Sequence, residues 1–130
     1  MSANIVETNA LNWEDEVLKS RLLVLVEFWH QQCAHCRAIA PVYAELAIMY
    51  AGKLKFAKFN VMESPENREL ALKYGIMGTP TFKFFCQGRP VFDIVGALSM
   101  EYLKQAIEFA IQKHGECEEK STPLSLSYIS

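Results

Sequence analysis

The 130-residue chain lacks a long apolar run. Its most apolar stretch, residues 22–29, contains Glu27 and is far shorter than the roughly 20 residues that span a bilayer. The N-terminus also lacks a basic segment followed by an apolar one, which argues against a cleavable signal peptide. We therefore expect no membrane partner and predict a cytoplasmic location.

An excess of charge of one sign is also missing. The 13 Lys and Arg and the 15 Asp and Glu give a formal net charge of -2, and the basic residues are scattered along the chain. This pattern argues against a nucleic-acid partner. No internal repeat is visible, and the length with 51% hydrophobic residues predicts a single domain with its own core. We expect a monomer that needs no cofactor.

Cysteine is scarce. Of four cysteines only Cys33 and Cys36 are close in sequence, which is unlike the dense spacing of a disulfide-stapled secreted protein. In a reducing cytosol we expect Cys86 and Cys117 to be free thiols. Cys86 lies in an aromatic run, where a cysteine usually packs as a small hydrophobic side chain.

The close pair forms the motif Cys33-Ala34-His35-Cys36, between a strand-like apolar run and a helix-like stretch. Two cysteines at this spacing can close a disulfide or supply half of a metal site. A strand before and a helix after favour redox chemistry, because the positive end of the helix dipole and unpaired N–H groups stabilise a thiolate. His30 and His35 leave a metal site as an alternative, but these ligands do not obviously converge, and we expect no metal.

Periodicity and capping signals predict the remaining elements. Asn9 or Asn12 is expected to cap a helix at 13–18, Pro41 to kink the helix at 36–50, and residues 87–90 to form a hairpin turn. The predicted strands are 4–7, 22–29, 53–61, 81–86 and 91–95. Besides the helices at 13–18 and 36–50, helices are predicted at 65–74 and 100–113. This order predicts an α/β fold with a mixed central sheet of four to five strands and helices on both faces.

The domain is expected to span residues 1–114, followed by a flexible tail at 115–130 that has little to pack. The alternating Leu124, Leu126 and Tyr128 leave a docked strand as an alternative.

Within this frame the chain resembles the thioredoxin superfamily over residues 4–112. The resemblance rests on motifs in matching order, namely Phe28-Trp29, the Cys-X-X-Cys, Ala40-Pro41, Lys58, Tyr74-Gly75-Ile76, Gly78-Thr79-Pro80-Thr81, Gly88 and Val95-Gly96-Ala97. It implies a thioredoxin fold with a cis Thr79–Pro80 bond beside the cysteines. It also implies a thiol–disulfide oxidoreductase that acts on protein disulfides and is supplied by a thioredoxin reductase or another dithiol donor.

The chain departs from the family pattern in three respects. Ala34-His35 stands between the cysteines, where thioredoxins carry Gly-Pro and protein disulfide isomerases carry Gly-His. Gln32 replaces the usual Trp, and Glu27 occupies the position of the buried acid, as in the isomerases. The departures leave oxidase and isomerase roles open, while the expected compartment favours a reductase.

The resemblance and the motif together assign roles. Cys33 is expected to be the nucleophile, and Cys36 to resolve the mixed disulfide. A protonated His35 would stabilise the reduced thiolate form and make the pair more oxidising than a Gly-Pro thioredoxin. The alternative is a solvated His35 without effect.

Glu27 lies in an apolar strand, where an isolated carboxylate is costly. It is therefore expected to have a raised pKa or to pair with Lys58, unless it lies at the strand end facing water. By resemblance, Glu27 takes the proton from Cys36.

Further positions are expected to bind an extended substrate, with Thr79 offering backbone hydrogen bonds. These are Trp29, Ala34, Met77, Gly78, Thr79, Pro80, Gly96 and Ala97. A binding or chaperone module that uses this groove without turnover is the alternative function.

Overall fold

The computed structural model describes residues 4–96, 98–114 and 117. Within these described residues, five strands, three α-helices and one short π-helical turn follow one another in the predicted order. The elements are β1 (Ile5–Thr8), the π-helical turn (Glu14–Leu18), β2 (Val24–Trp29), α1 (Ala34–Met49), β3 (Lys55–Asn60), α2 (Pro65–Lys73), β4 (Thr81–Cys86), β5 (Arg89–Val95) and α3 (Met100–His114).

The strands form one sheet in the order β1-β3-β2-β4-β5. β1 and β2 each run parallel to β3, whereas β4 runs antiparallel to both β2 and β5. The central position of β2 explains its nearly continuous apolar sequence, because a strand covered on both faces has no water-facing side. The predicted mixed sheet is confirmed.

Two apolar clusters cover the two faces of this sheet. Leu25 of β2 packs in a cluster with side chains of α1 and α3, while Val24 and Val26 pack in the other cluster, with side chains of α2 and the π-helical turn. Successive side chains of a strand point to opposite faces. Helices therefore lie on both faces, as predicted, and Glu27 points to the same face as Leu25, toward the side covered by α1.

The start of α2 has the sequence expected of a helix N-terminus, a capping serine followed by a proline. The Ser64 hydroxyl accepts a hydrogen bond from the Asn67 N–H at 3.0 Å, and Pro65 occupies the first helical turn. The helix ends before Gly75, whose φ of +74° is a left-handed conformation that glycine adopts without a steric penalty.

The first helical segment is a π-helical turn, and its preceding residue Trp13 makes no side-chain cap hydrogen bond. Of the two predicted capping residues, Asn9 makes cap-type hydrogen bonds, at the turn that leads into this segment. The Asn9 side chain accepts from the N–H groups of Leu11 and Asn12, and the Asn12 side chain accepts from the Asn9 N–H at 2.8 Å.

The hairpin turn is tighter than predicted. The turn consists of Gln87 and Gly88, which have positive φ of 54° and 82°, and Arg89 and Pro90 already belong to β5. A proline is tolerated there because β5 is an edge strand, where a missing N–H need not break the ladder.

The prediction that Cys86 and Cys117 are free thiols is wrong. They form a disulfide, with Cα atoms 5.7 Å apart, and both belong to the cluster on the α1 and α3 face. The fold brings the end of β4 next to residue 117, a proximity that a sequence separation of 31 does not reveal. Residues 115, 116 and 118–130, with Leu124, Leu126 and Tyr128, lie outside the described residues, so the domain boundary stays a prediction. None of the described helices is both long and apolar enough to cross a membrane.

Candidate active site

Cys33 is the N-cap residue of α1. It has an extended backbone, with φ of -89° and ψ of 109°, and its carbonyl accepts the Arg37 N–H at 3.1 Å to begin the helix. Its own N–H donates to the His30 carbonyl at 3.2 Å, which closes the short loop after β2. The end of the central strand β2 and the start of α1 together fix the position of the Cys33 sulfur.

Cys33 forms a disulfide with Cys36, and their Cα atoms are 5.2 Å apart. The Cys33 sulfur also accepts a hydrogen bond from the Cys36 N–H at 3.1 Å. Cys33 is 9% exposed and Cys36 is 3% exposed. Cys33 is thus the more exposed of the two cysteines, and the N–H group that would stabilise a Cys33 thiolate is already in position.

Ala34 and His35 lie exposed in the first turn of α1, between the two cysteines. The His30 ring is engaged locally, since its Nδ1 accepts the Gln32 N–H at 3.2 Å. Across the part of the chain that the structure describes, no group of three or more His, Cys, Asp or Glu side chains is placed to hold a metal ion. The disulfide, rather than a ligand set, is what the motif forms here.

Glu27 is buried, with 1% of its surface exposed, so the alternative that it faces water at the strand end is wrong. Neither carboxyl oxygen has a hydrogen-bond partner among the described residues. Burial raises the pKa of the Glu27 carboxyl to about 7. The positive charge of Lys58 opposes this rise, whereas the negative charge of Glu7 adds to it. The raised-pKa alternative is the one that the structure supports.

Lys58 is the strand neighbour of Glu27, but the predicted pairing does not form as a hydrogen bond. The two residues are in register between β2 and β3, yet the Lys58 ammonium lies 4.3 Å from the centroid of the Trp29 ring. A cation over an aromatic face is attracted by the ring quadrupole. Glu7 of β1 is in register with Lys58 on its other side, so Lys58 stands between two carboxyl groups.

Tyr43 is a neighbour of Glu27 that the sequence analysis did not single out. Its hydroxyl lies 2.8 Å from the Ala57 carbonyl oxygen and 3.0 Å from that of Leu25, and it bridges β3 and β2. Burial, followed by the charge of Glu27, raises the pKa of the Tyr43 hydroxyl well above its usual value. Helical periodicity is the sequence signal for the burial of Tyr43, but it does not indicate which carbonyl groups the hydroxyl contacts.

The loop before β4 lies at the same end of the sheet as Cys33. Thr81 pairs with Phe28 near the end of β2, and the Thr79–Pro80 bond is cis, as predicted. The Pro80 carbonyl accepts the Gly96 N–H at 2.9 Å, and the Thr81 hydroxyl donates to the Gly78 carbonyl at 2.6 Å. These bonds bring together the predicted substrate-binding positions 78–80 and 96.

The glycines of this region differ in conformation. Gly96 has a φ of +106°, which a larger residue would adopt only with strain, whereas Gly78 has no positive φ. Ala97 lies outside the described residues.

A cleft of about 240 Å³ adjoins this loop. Met77, predicted as an adaptable contact, is 90% exposed at its rim. Met62 and Leu72 also line the cleft and are exposed, but the sequence reasoning missed them because a single exposed apolar residue in a loop or helix carries no distinctive signal. The remaining lining residues are His30, Val61, Arg68, Ala71, Ile76, Gly78 and Thr79.

The Thioredoxin family model matches residues 4–109 of the chain. The chain belongs to the thioredoxin family. It is 42% identical over 103 residues to a thioredoxin of Pseudomonas aeruginosa, a match that covers 79% of this chain and 93% of the relative. It is 41% identical over 108 residues to thioredoxin 1 of a Nostoc species, covering 83% of this chain and 97% of the relative.

A chloroplastic M-type thioredoxin of Pisum sativum is 42% identical over 100 residues, which are 77% of this chain. The match spans only 56% of the length of that relative.

Membership of the thioredoxin family and the mixed five-stranded sheet confirm the predicted fold. Together with the Cys33–Cys36 disulfide at the start of α1, they support a thiol–disulfide oxidoreductase. In this thioredoxin-family protein, Ala34 and His35 lie between the two cysteines, and Glu27 is the buried acid of β2.

Proposed function

We propose that this protein reduces protein disulfides by dithiol–disulfide exchange through Cys33 and Cys36. The observation that carries the proposal is the position of the pair, with Cys33 as the N-cap of α1 and its sulfur within hydrogen-bond distance of the Cys36 N–H. Charge on the Cys33 sulfur is stabilised there by this donor and by the helix dipole.

The exchange proceeds in two displacements. The Cys33 thiolate attacks one sulfur of the substrate disulfide, the S–S bond of the substrate breaks, and its other sulfur leaves as a thiolate that takes up a proton. Cys36 then loses its proton and attacks the Cys33 sulfur of the mixed disulfide. The second substrate sulfur leaves as a thiolate, and the Cys33–Cys36 disulfide is formed, so that two electrons pass to the substrate.

Glu27 is proposed to accept the proton of Cys36. A carboxyl group with a pKa of about 7 holds a proton about half of the time at neutral pH, which suits a general acid and base. Its lack of hydrogen-bond partners leaves both oxygens available for this proton. Lys58 is proposed to limit the rise of this pKa by its positive charge.

Substrate binding is proposed for the surface around the cis Thr79–Pro80 bond. The exposed Met77 and Ala34 offer apolar contact, and the backbone of Thr79 offers hydrogen bonds to an extended segment. Gly78 and Gly96 have no side chains that would project from this surface. Trp29 completes the proposed surface, and Ala97 stays a prediction from the sequence because it lies outside the described residues.

His35 is proposed to make the pair more oxidising than that of a Gly-Pro thioredoxin. It is exposed between the cysteines, where its protonated form favours the Cys33 thiolate and therefore the reduced state. A thiol–disulfide titration against glutathione tests this, with His35→Pro beside the unmodified protein. The potential of the variant should fall, and an equal or higher value would contradict the role of His35.

The electron donor is proposed to be a thioredoxin reductase or another dithiol. The cytoplasmic location stays a prediction, since the relatives include bacterial thioredoxins and a chloroplastic one. The monomeric state is likewise a prediction.

Trapping tests the proposed roles of the cysteines. In a Cys86→Ser/Cys117→Ser background, Cys36→Ser should accumulate mixed disulfides with protein substrates, because Cys33 attacks and nothing resolves the product. Cys33→Ser is the matched control, and it should trap little because Cys36 is more deeply buried. Equal trapping by the two variants would contradict the assignment of Cys33 as nucleophile.

Turnover separates the alternatives. A reductase should reduce insulin disulfides catalytically with a dithiol donor, and a binding or chaperone module should not. An isomerase should instead restore activity to a scrambled disulfide protein faster than it reduces insulin. The exposed apolar cleft beside Met77 is compatible with each, so the assay decides.

A further inference from the structure

The second disulfide, Cys86–Cys117, takes no part in the exchange described above. It joins Cys86, the last residue of β4, to Cys117, which is itself helical. Cys86 is 5% exposed and Cys117 is 2% exposed, and both belong to the buried cluster that contains Leu23 and Phe84. Two cysteines that are isolated in sequence are therefore joined inside the core.

This disulfide lies at the opposite end of the sheet from Cys33. Phe85, the neighbour of Cys86, pairs with Val24 at the start of β2, whereas Cys33 follows Trp29 at the end of β2. A strand of six residues separates its ends by roughly 17 Å at about 3.3 Å per residue. Exchange requires an attacking sulfur to contact the disulfide, so Cys33 cannot attack Cys86 or Cys117 of its own molecule.

We propose that Cys86–Cys117 is a second thiol–disulfide site, which reacts with small-molecule thiols independently of Cys33–Cys36 and whose oxidised form fixes residue 117 to the core. The reaction balances with two equivalents of such a thiol. One thiolate attacks a sulfur of the pair and forms a mixed disulfide, and a second displaces it. The products are two protein thiols and one disulfide of the small thiol, and the protons pass to the sulfurs of Cys86 and Cys117.

The two disulfides should be reduced at different rates, because they differ in how easily a thiol reaches them. The Cys86–Cys117 sulfurs lie in the apolar core, and a thiol reaches them only after local opening around residue 117. Cys33, at the start of α1, is 9% exposed, which is more than Cys86 at 5% or Cys117 at 2%. Reduction of Cys86–Cys117 is therefore slower than that of Cys33–Cys36, by about an order of magnitude or more.

Closure of the loop between the two cysteines should also stabilise the fold. The cross-link removes conformational freedom from the unfolded chain, and the effect grows with the length of the loop, here a separation of 31 residues. Loss of the disulfide should lower the melting temperature by an amount on the order of 10 °C.

The kinetic test uses dithiothreitol as the thiol. Protein is sampled over time in excess dithiothreitol, quenched with an alkylating agent and mapped by mass spectrometry of its peptides. Cys33 and Cys36 should be alkylated first, with a later phase for Cys86 and Cys117. The later phase should persist at the same rate in Cys33→Ser/Cys36→Ser. Its disappearance in this variant, or alkylation of Cys86 and Cys117 without dithiothreitol, would overturn the proposal.

The thermal test compares two double variants. Cys33→Ser/Cys36→Ser should melt at a lower temperature after prolonged reduction, because its Cys86–Cys117 disulfide is then broken. Cys86→Ser/Cys117→Ser should melt at the lower temperature with or without dithiothreitol, and below that temperature its insulin reduction should stay within about twofold of the unmodified protein. If the double serine variant fails to fold, the melting of reduced Cys33→Ser/Cys36→Ser decides alone. An unchanged melting temperature there would overturn the stabilising role.

These outcomes are separate from the proposed catalytic function. Cys33→Ser/Cys36→Ser is inactive by design, and its reduction and melting still report on Cys86 and Cys117. A failure of insulin reduction by the unmodified protein would contradict the proposed function and leave the second site standing.

Discussion

Glu27 and Lys58 occupy paired positions on β2 and β3, yet the Lys58 ammonium lies over the Trp29 ring and the Glu27 carboxyl has no hydrogen-bond partner among the described residues. The positive charge of Lys58 therefore lowers the pKa of Glu27, although the two side chains form no hydrogen bond. Because burial outweighs this attraction, the pKa of Glu27 rises to about 7. The arrangement keeps a titratable proton inside the domain near neutral pH.

The first prediction concerns the pH dependence of stability. Since the folded-state pKa of Glu27 is raised from 4.5 to about 7, the folded state holds a proton that the unfolded chain releases between these pH values. The free energy of unfolding should therefore fall as pH rises from about 4.5 to 7, by about 3 kcal/mol from this group, and change little from it above that window. Glu27→Gln should lack this part of the slope in urea unfolding at pH 4.5 and 8.

The control for this prediction is Glu7→Gln, which removes an exposed carboxyl group from the same row of side chains. It should retain most of the slope, because the buried Glu27 remains. An equal slope in Glu27→Gln and in the unmodified protein would show that Glu27 does not bind the proton.

The second prediction concerns Lys58. Its charge lowers the pKa of Glu27, so Lys58→Met should raise that pKa further above 7. The carboxyl carbon of Glu27 reports this directly in an NMR titration. Lys55→Met is the matched control, since Lys55 lies on the same strand but points to the other face and pairs with Glu16 at 2.6 Å. A pKa that stays or falls in Lys58→Met would contradict the electrostatic role.

How far the sequence predicts this site depends on the range of the interaction. The order of elements, the strand at β2 and the cap at Ser64 follow from local patterns, and the structure confirms them. The pairing of Cys86 with Cys117 was not predicted, because it depends on how the fold packs residue 117 against the end of β4. The direction of the Lys58 side chain could not be predicted either, since it depends on the Trp29 ring beside it.

The third prediction compares two glycines with nearly equal φ. Gly88 and Gly52 have φ of +82° and +85°, but an added Cβ at Gly88 would lie 3.3 Å from Leu18, whereas at Gly52 it would meet nothing within 4 Å. Both alanine variants should lose about 1 to 2 kcal/mol to the left-handed conformation. Gly88→Ala should lose about 1 kcal/mol more to crowding, measured by urea unfolding. Equal losses would show that Leu18 shifts without cost.

The fourth prediction isolates the Tyr43 hydroxyl. It bridges carbonyl groups of β2 and β3 inside the core, so Tyr43→Phe should lower the free energy of unfolding by about 1 kcal/mol, the usual net value of a buried hydrogen bond. Tyr102→Phe removes a hydroxyl from a half-exposed ring of α3 and should change stability by less than about 0.5 kcal/mol. Urea unfolding of both variants at one pH measures the difference. A Tyr43→Phe protein as stable as the Tyr102→Phe protein would mean that the two strands do not need this bridge, because the ladder between β2 and β3 already satisfies both carbonyl groups.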